Sequence, residues 1–277
     1  MSELCADGLL YEPMLGVTHP LVRIDPQQIR LDRLEIADMV ALQAKTSKAT
    51  WRPAPGRKVG FSVVHAGRLI GILFLSSPVI NLGARDEYLG LEKEGKGYAL
   101  RRVMDMSVCV GLQPLAWHWN IGKLVAMLAT SDEIAAAHES RYGDPLEWIT
   151  TTSLYGRGVQ YNRVYKFLGY TRGYGHEHIA EAEYQTMLRW MRQNNVATPS
   201  SKFGAGSNPR MRRIAAYQRA RGLPADLMHG HKRGIYIHRA RQGSVAEIAR
   251  QWFDRWGLPR YERTVGLTPP YTDGLGA

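Results

Sequence analysis

The sequence of 277 residues contains two cysteines, Cys5 and Cys109, and no long apolar run. Two cysteines cannot build the disulfide framework that stabilises small secreted domains, so a reducing compartment is expected. No stretch reaches the ~18 apolar residues of a membrane-spanning helix, and the N-terminus lacks a basic segment followed by an apolar one. We therefore expect a soluble protein of the cytoplasm with no membrane partner.

Histidine and cysteine do not occur here at the spacing of a known metal site. His176 and His178 are separated by one residue, as are His229 and His231. On a strand, the two side chains of each pair would point the same way and could share a metal ion. Neither pair has a third ligand at a recognisable spacing, so the residues by themselves predict no metal site.

Positive charge is concentrated near the C-terminus. The chain carries a formal charge of +11, from 36 Lys and Arg and 25 Asp and Glu. From residue 199 onward there are 14 basic and 5 acidic residues, so that segment carries +9. Because a clustered positive field attracts polyanions, nucleic acid is the expected partner. A basic surface that serves only solubility is the alternative.

Hydrophobic periodicity predicts a mixture of strands and helices. The predicted strands are a hairpin at 59–64 and 69–76, and single strands at 102–112, 148–153 and 234–237. The predicted helices are 25–44, 120–137, 159–168, 181–194, 209–221 and 245–256. This order favours an α+β fold with a central, mostly antiparallel sheet in residues 1–197, followed by a basic C-terminal extension in residues 198–277.

The segment 148–174 is the richest in candidate site residues. Ser153 ends a predicted strand, Gly156 and Gly158 form a break, and Tyr161 begins a predicted helix. Glycine lets a backbone approach a ligand closely, and a helix N-terminus offers N–H groups to an anion. Tyr161 near that terminus is a candidate general acid. A packing role for this aromatic ring is the alternative.

The predicted strand at 102–112 supplies a second set of candidates. A period of two places Asp105, Ser107 and Cys109 on one face of that strand. A carboxylate in such a position can take a proton during catalysis. An ion pair between Asp105 and Arg101 or Arg102 is the alternative.

The predicted helix at 209–221 is strongly basic. Arg210, Arg213 and Tyr217 share one face by helical spacing, which suits contacts with phosphates that position a protein without reading sequence. The predicted nucleic-acid-binding residues are Arg210, Arg212, Arg213, Tyr217, Lys232 and Arg233.

The order of elements, ending in a helix and then Leu168-Gly169-Tyr170, resembles the GNAT acyltransferases over residues 20 to 175. Those enzymes carry a Q/R-x-x-G-x-G/A pyrophosphate loop after the central strand. Here residues 111–117 read GLQPLAW and contain no glycine pair. The resemblance implies a GNAT-like fold that departs from the family at its cofactor loop.

Shorter motifs give a narrower resemblance. The run SSPVIN at 76–81 with Arg85-Asp86, MDMS at 104–107, and YGRG at 155–158 followed by Tyr161-Asn162 resemble the Mom family. Mom proteins are GNAT-like phage enzymes that add a methylcarbamoyl group to the exocyclic amine of adenine in DNA. The same features are similar to the core of the Druantia anti-phage defence proteins.

The Mom resemblance implies roles for specific residues. The implied catalytic residues are Asp105, Tyr161, Ser107, Ser153 and Asp86. The implied donor-binding residues are Arg85, Arg157, Gly156, Gly158 and Asn162. In this hypothesis Asp105 or Asp86 takes the amine proton, Tyr161 or Ser153 assists the leaving group, and Arg85 or Arg157 holds a phosphate. The acyl donor is unidentified, with acetyl-CoA or a related compound as a candidate, and the resemblance also admits an iron ion.

The function implied by the resemblance is modification of adenine in double-stranded DNA, which protects a phage genome from restriction. An enzyme that modifies a paired base must first flip it out of the stack. One alternative is an anti-phage defence component that binds DNA without group transfer. A second alternative is an acyltransferase for small molecules. The oligomeric state stays open.

Overall fold

The computed structural model describes residues 23–46, 55–112, 115–153, 156–176, 179, 181–198, 209–223 and 228–265. Seven strands form one sheet in the order β1-β2-β3-β4-β5-β7-β6. The strands are β1 (Ile29–Leu34), β2 (Lys58–His65), β3 (Arg68–Ser76), β4 (Val103–Gly111), β5 (Trp148–Thr152), β6 (Lys166–His176) and β7 (Met228–Arg239). The pairs β1–β2, β2–β3, β3–β4 and β5–β7 are antiparallel, whereas β4–β5 is parallel. The expected mixed fold with a mostly antiparallel sheet is confirmed.

Helices occupy most of the connections between strands. They are α1 (Ile36–Thr46), α2 (Gly83–Tyr88), α3 (Lys96–Ala99), α4 (Leu115–Trp119), α5 (Ile121–Leu128), α6 (Asp132–Tyr142), α7 (Glu181–Gln193), α8 (Pro209–Ala220), α9 (Val245–Trp252) and α10 (Leu258–Val265). A π-helical turn, Phe253–Gly257, joins α9 to α10. Within the described ranges no helix is both long and apolar enough to cross a membrane.

Apolar side chains cover both faces of the sheet. Along β3, Leu73 belongs to a large cluster that includes α5 and α9, whereas Ile72 and Phe74 belong to a second cluster with Met39 of α1. Neighbouring strand residues point to opposite faces, so a strand covered on both sides is apolar throughout. Gly71 brings α5 close, because an added Cβ would lie 2.6 Å from Val125 Cγ2.

The first predicted helix, at 25–44, is wrong in its N-terminal half. A 3₁₀ turn at Pro26–Gln28 leads into β1, which pairs with β2 along its whole length. Only Ile36–Thr46 is helical. The pairing with the apolar strand β2 overrides a local pattern that also fits a helix, since propensity is a weak prior against tertiary contacts.

The predicted helix at 120–137 is two helices, α5 and α6. Ser131 separates them, because its hydroxyl accepts a hydrogen bond from the Ile134 N–H at 3.4 Å and caps α6. The predicted strand at 234–237 is longer and forms β7. The predicted helix at 245–256 begins with a capping box between Ser244 and Glu247 and continues through α10.

The contacts divide the chain into two compact units. One unit contains residues 1–172 and 232–277, and the other contains residues 173–231. The segment 198–277, predicted as one basic extension, is therefore divided between the two units. In the first unit β7 pairs with β5, and α9 packs on α5 and β1. In the second unit α7 packs against α8 around Ile179, Tyr184 and Ile214.

Candidate functional site

The parallel pair of strands places Asp105 at the end of its ladder. Three residue pairs join β4 to β5, and the last is Asp105 with Thr150. Beyond that pair the Thr151 hydroxyl donates to the Met106 carbonyl at 2.9 Å. Asp105 therefore lies where the regular pairing between the two parallel strands stops, although its backbone still pairs with Ser76 of β3.

The protein around Asp105 raises the pKa of its carboxyl to about 6. Burial is the main cause, and the hydrogen bond from Thr150 and the charges of Arg85 and Arg233 oppose it. The Thr150 hydroxyl donates to Asp105 Oδ1 at 3.0 Å. A carboxyl that titrates near neutral pH can both accept and release a proton, so Asp105 has the acid–base chemistry expected of a catalytic group.

The alternative ion pair for Asp105 is not formed. Arg101 Nε lies 2.9 Å from Asp144 Oδ2, and Arg102 Nη2 lies 2.5 Å from Glu147 Oε1. Both arginines are therefore paired with other carboxylates.

Tyr161 lies in a turn, so the predicted helix at 159–168 is wrong. Its N–H donates to the Gly158 carbonyl at 3.1 Å, and the chain enters β6 at Lys166. The Tyr161 ring is buried and packs against the rings of Tyr165 and Tyr236. Burial and the neighbouring Cys109 raise the pKa of the Tyr161 hydroxyl, so this group stays protonated at neutral pH and can donate or accept a hydrogen bond but cannot take up a proton as a base.

Lys123 of α5 explains why this turn is not helical. Its buried ammonium group donates to the carbonyls of Val159, Gln160 and Asn162 at 3.1, 3.3 and 2.7 Å. These carbonyls would accept backbone N–H groups in a helix. Burial lowers the pKa of Lys123 to about 8, and the charges of Arg163 and Arg255 act in the same direction. No pattern in the sequence marks this lysine as a residue of the site.

A β-bulge separates Ser107 and Cys109 from the face of Asp105. Leu75 of β3 faces Met106, and Phe74 faces Val108, so Ser107 is an extra residue without a partner in the register. Ser107 is exposed, and its hydroxyl donates to the Phe74 carbonyl at 3.2 Å. Cys109 packs against the same cluster as Met106. The prediction that Asp105 and Cys109 share a face is therefore wrong.

Arg85 and Asp86, which the resemblance implies as the phosphate-holding and proton-accepting residues, form a buried ion pair on α2. Arg85 is completely buried, and its Nε and Nη2 donate to Asp86 Oδ1 at 2.9 and 2.6 Å. Lys96 also lies 3.0 Å from Asp86 Oδ2. These hydrogen bonds lower the pKa of Asp86, although its burial, the largest single contribution, acts in the opposite direction. A phosphate could contact Arg85 only by displacing these groups.

The implied donor-binding residues are bonded to the protein itself. The Gly156 N–H donates to the Lys232 carbonyl at 3.1 Å, and the Gly158 N–H donates to the Tyr236 hydroxyl at 2.9 Å. The Tyr236 hydroxyl in turn donates to Asn162 Oδ1 at 3.2 Å. The cradle of free donors that a pyrophosphate needs is not formed by these groups.

Ser153 and Arg157 flank the same glycines in different environments. Ser153 is buried, and its hydroxyl donates to the Gly156 carbonyl and accepts from the Gly234 N–H. Ser153 therefore links Gly156 to Gly234 through its hydroxyl. Arg157 is exposed, with its guanidinium carbon 4.5 Å from the centre of the Phe167 ring. Of the five implied donor-binding residues, Arg157 is the one with an exposed side chain suited to an external anion.

The predicted basic face of α8 is partly occupied by α7. Arg213 Nη1 donates to the Tyr184 hydroxyl at 3.5 Å, and the Tyr217 ring packs edge-on against Trp190 at 5.3 Å. Arg212 is half-buried, and the side chain of Arg210 lies outside the described part of the chain. The exposed cations of this helix end are Arg219 and Arg221.

Lys232 and Arg233 belong to β7 and to the first compact unit, whereas α8 belongs to the second. Lys232 is exposed and Arg233 is half-buried. Arg233 acts electrostatically on Asp105, and its N–H donates to the Thr171 hydroxyl at 3.1 Å. Arg233 therefore joins the environment of the Asp105 carboxylate, which the sequence did not indicate.

Several exposed cations of the first unit lie over aromatic rings. We call three of them, whose rings belong to residues ten or more positions away in the chain, the cation–aromatic set: Arg157 over Phe167, Lys166 over Tyr88, and Arg239 over Trp148, at 4.5, 4.4 and 4.7 Å from the ring centres. None of these three cations is in an ion pair with another described residue. The rings fix the cations while leaving their charge unneutralised. The sequence analysis named Arg157 but missed the pairing of these cations with aromatic rings, because Lys166 and Arg239 meet their rings only in the folded chain.

Metal ligands do not converge in the described ranges. No group of three His, Cys, Asp or Glu side chains there could hold a metal ion. The side chains of His176, His178, His229 and His231 lie outside the described residues. The iron ion admitted by the resemblance gains no site from the residues that the structure describes.

Comparison with known proteins gives one family. The sequence model described as "Druantia protein DruA" matches residues 45–242. The Druantia protein DruA of Escherichia coli (strain UMEA 4076-1) is 29% identical to this chain over 267 residues. That alignment covers 80% of this chain and 65% of the E. coli protein. The chain thus spans somewhat under two thirds of the length of the curated relative.

Proposed function

Because the chain belongs to the Druantia protein DruA family, we propose that it is a nucleic-acid-binding component of an anti-phage defence system. The observation that carries this proposal is the family match over residues 45–242, which includes β2 through β7. A defence component that binds DNA was the alternative to adenine modification, and the family match supports the defence part of that alternative. A protein that acts on invading DNA works in the cytoplasm, so we place it there.

The charge distribution supports nucleic acid as the partner. The chain has a formal charge of +11, and Arg30, Arg101 and Arg241 are each neutralised by a carboxylate. The cation–aromatic set has no such neutralisation among the described residues. Fixed cations without carboxylate partners are suited to phosphates, since each contact releases a condensed counterion and strengthens binding.

The first test compares two triple variants with the same change in charge. Arg157→Gln, Lys166→Gln and Arg239→Gln together remove the cation–aromatic set, whereas Arg30→Gln, Arg101→Gln and Arg241→Gln remove ion-paired arginines. Binding to a duplex is measured over a range of salt concentrations. We expect the first variant to reduce the slope of log affinity against log salt by about 2.7, or 0.9 per lost phosphate contact. The control should keep nearly the wild-type slope.

The defence role is tested in cells that express the protein with the neighbouring genes of its system. We expect fewer plaques than in cells without the system, and loss of that protection in the triple variant of the cation–aromatic set. Equal slopes for the two triple variants in the binding experiment would reject the proposed surface. Full protection by a variant that no longer binds nucleic acid would reject the proposed role.

A second candidate function is favoured by Asp105. We propose, as this alternative, that a GNAT-like core transfers an acyl or methylcarbamoyl-type group to the exocyclic amine of adenine in DNA. The support is a carboxyl whose pKa is raised to about 6, located where the parallel strands β4 and β5 cease to pair. In this step the exocyclic amine nitrogen bonds to the acyl carbon, and the bond from that carbon to the donor's carrier breaks. Asp105 takes the proton that the amine loses, the carrier leaves with the bonding electron pair, and the buried Tyr161 hydroxyl serves as a hydrogen-bond donor.

The second candidate is tested by mass spectrometry of nucleosides from plasmid DNA after expression in bacteria with the neighbouring genes. A heavier deoxyadenosine that disappears with Asp105→Asn supports group transfer. The matched control is Asp144→Asn. Asp144 is distant from Asp105 in the sequence, and its carboxylate pairs with Arg101. Unmodified nucleosides from cells that are protected against phage would reject group transfer and retain the defence role.

A further inference from the structure

The loop between β3 and α2 presents two aliphatic side chains to solvent. Val79 is 62% exposed and Ile80 is 69% exposed, although the neighbouring strand β3 is buried from Leu69 to Leu75. Scattered apolar residues on a surface are ordinary. This pair differs because the backbone that carries it is fixed by a buried network.

Arg85 provides the first part of that network. Its Nη1 donates to the Val79 carbonyl at 2.8 Å, and its Nη2 donates to the Ile80 carbonyl at 3.0 Å. The same guanidinium group is completely buried and is neutralised by Asp86. The two residues with exposed aliphatic side chains are therefore the two whose carbonyls the buried arginine fixes.

Asp86 and Lys96 provide the second part. Asp86 Oδ2 accepts from the Leu82 N–H at 3.0 Å and from Lys96 Nζ at 3.0 Å. Lys96 Nζ also donates to Asn81 Oδ1 at 3.2 Å. Every residue from Val79 to Leu82 is thus bonded to one ion-paired cluster.

Burying the Arg85–Asp86 ion pair costs free energy, and holding the loop in a solvent-exposed position does not offset that cost. Removing an arginine and a carboxylate from water is unfavourable for each ion, and their mutual attraction must offset that cost. A loop fixed in advance loses little conformational entropy when it binds, so the benefit of such rigidity appears on binding. Val79 and Ile80 are the part of the loop whose side chains this network holds toward the solvent.

A cation lies beside the loop. Arg172 Nε is 3.7 Å from the position that a Cβ on Gly83 would take, and the Arg172 side chain is exposed. No described carboxylate forms an ion pair with Arg172. An apolar tip next to an unneutralised cation matches nucleic acid, in which stacked bases and phosphates alternate in space. A protein partner is the alternative occupant, and the experiment below distinguishes the two.

We propose that Val79 and Ile80 form an apolar wedge that inserts between stacked bases of bound nucleic acid, while Arg172 contacts the adjacent phosphate. Aliphatic wedges of this kind unstack a base step and bend or open the duplex, at a cost of a few kcal/mol per step. Such a wedge would let the protein open or distort DNA without reading its sequence. This inference rests on the proposed nucleic-acid function and adds the mode of contact.

The experiment uses short duplexes that carry 2-aminopurine, a base that fluoresces more strongly when it is unstacked, at successive positions. The wild-type protein, the double variant Val79→Ser/Ile80→Ser and the control Val40→Ser are compared at saturating concentration. Val40 is 40% exposed on α1, away from the loop. The wild type and control should increase the fluorescence. The double variant should bind about tenfold more weakly, with an unchanged salt slope, and give no increase, since its loss is apolar.

The outcomes separate this inference from the proposed function. If the wild type does not bind nucleic acid, both are rejected. If the double variant binds and unstacks bases as the wild type does, the wedge alone is rejected. If the double variant keeps both properties but loses binding to a purified protein of the same system, the loop is a protein-docking surface instead. Because both changed side chains are exposed, thermal denaturation should show unchanged folding in every variant.

Discussion

At the scale of single residues, the structure around Asp105 predicts how the stability of the protein depends on pH. Its carboxyl has a pKa raised to about 6 from the ordinary value of 3.8, chiefly by burial. The folded state therefore binds its proton more tightly than the unfolded chain does. Stability from this group is fully present below pH 3.8 and is lost as pH rises through 6.

We predict that Asp105→Asn removes this pH dependence. Two pKa units correspond to roughly 3 kcal/mol, so the variant should gain about that much relative to wild type between pH 4 and pH 8. Asparagine keeps an oxygen that can accept from Thr150, so the packing is retained. Chemical denaturation at the two pH values measures the difference. A variant that follows the wild-type profile would show that Asp105 titrates normally in the folded protein.

A substitution of Thr150 tests the hydrogen bond that this residue donates to the Asp105 carboxylate. The hydrogen bond from its hydroxyl to Asp105 Oδ1, at 3.0 Å, opposes the rise in the carboxyl pKa. We predict that Thr150→Val raises the Asp105 pKa further, because the charged carboxylate loses a donor. Titration of the carboxyl followed by NMR measures the shift. The control Thr186→Val removes a hydroxyl that bonds to the Ala182 carbonyl on α7 and should leave Asp105 unchanged. A lower Asp105 pKa in Thr150→Val would contradict the assignment.

At the scale of elements, the turn that carries Tyr161 depends on one lysine of another element. Lys123 donates to three carbonyls of the turn and is itself buried in α5. A buried carbonyl that loses its partner costs about 1–3 kcal/mol. The turn is therefore a tertiary structure that is built by α5 rather than by its own sequence.

We predict that Lys123→Met destabilises the protein by several kcal/mol and exposes residues 158–164 to limited proteolysis, since three carbonyls lose a donor. Lys58→Met is the matched control, because Lys58 Nζ makes one hydrogen bond, to the Gly56 carbonyl, at the surface. The control should change stability by less than about 0.5 kcal/mol. Denaturant midpoints and cleavage sites provide the readout. If both variants lose the same small amount, Lys123 does not hold the turn.

The elements also show what the sequence could predict. The hairpin of β2 and β3, the strand β4 and the helices α7 and α8 follow from local apolar patterns and appear within a few residues of the predicted bounds. The strand β1 and the turn at 159–164 do not, since β1 depends on pairing with β2 and the turn depends on Lys123. The period of two failed to place Cys109 relative to Asp105, because no local pattern marks the extra residue at Ser107.

Only part of the candidate site could be predicted from the sequence. Arg85 and Asp86 were recognised as a notable pair, yet their burial and their bonds to the preceding loop require the fold. The cation–aromatic set joins residues far apart in the chain, such as Lys166 with Tyr88, and so depends on strand order. Charge composition predicts a polyanionic partner but cannot tell which cations are neutralised by neighbouring carboxylates.

At the scale of the whole molecule, basic residues that the sequence assigns to one C-terminal extension belong to two compact units. Arg219 and Arg221 lie at the exposed end of α8 in the second unit, whereas Arg239 belongs to the first. The Arg221 guanidinium carbon lies 5.2 Å from the centre of the Trp190 ring, which orders the cation without neutralising it. Each unit therefore has exposed cations of its own.

The last prediction concerns the contribution of the second unit. Arg219→Gln with Arg221→Gln should lower the salt slope of DNA binding by about 1.8, if each arginine contacts one phosphate. The control pair Arg212→Gln with Arg213→Gln has the same charge change, but both residues are half-buried, and Arg213 donates to the Tyr184 hydroxyl. That pair should reduce thermal stability more than it changes the slope. A slope lowered equally by both pairs would mean that the net charge of the second unit, rather than its exposed arginines, determines binding. An unchanged slope in the first pair would confine nucleic-acid contact to the first unit, where the cation–aromatic set lies.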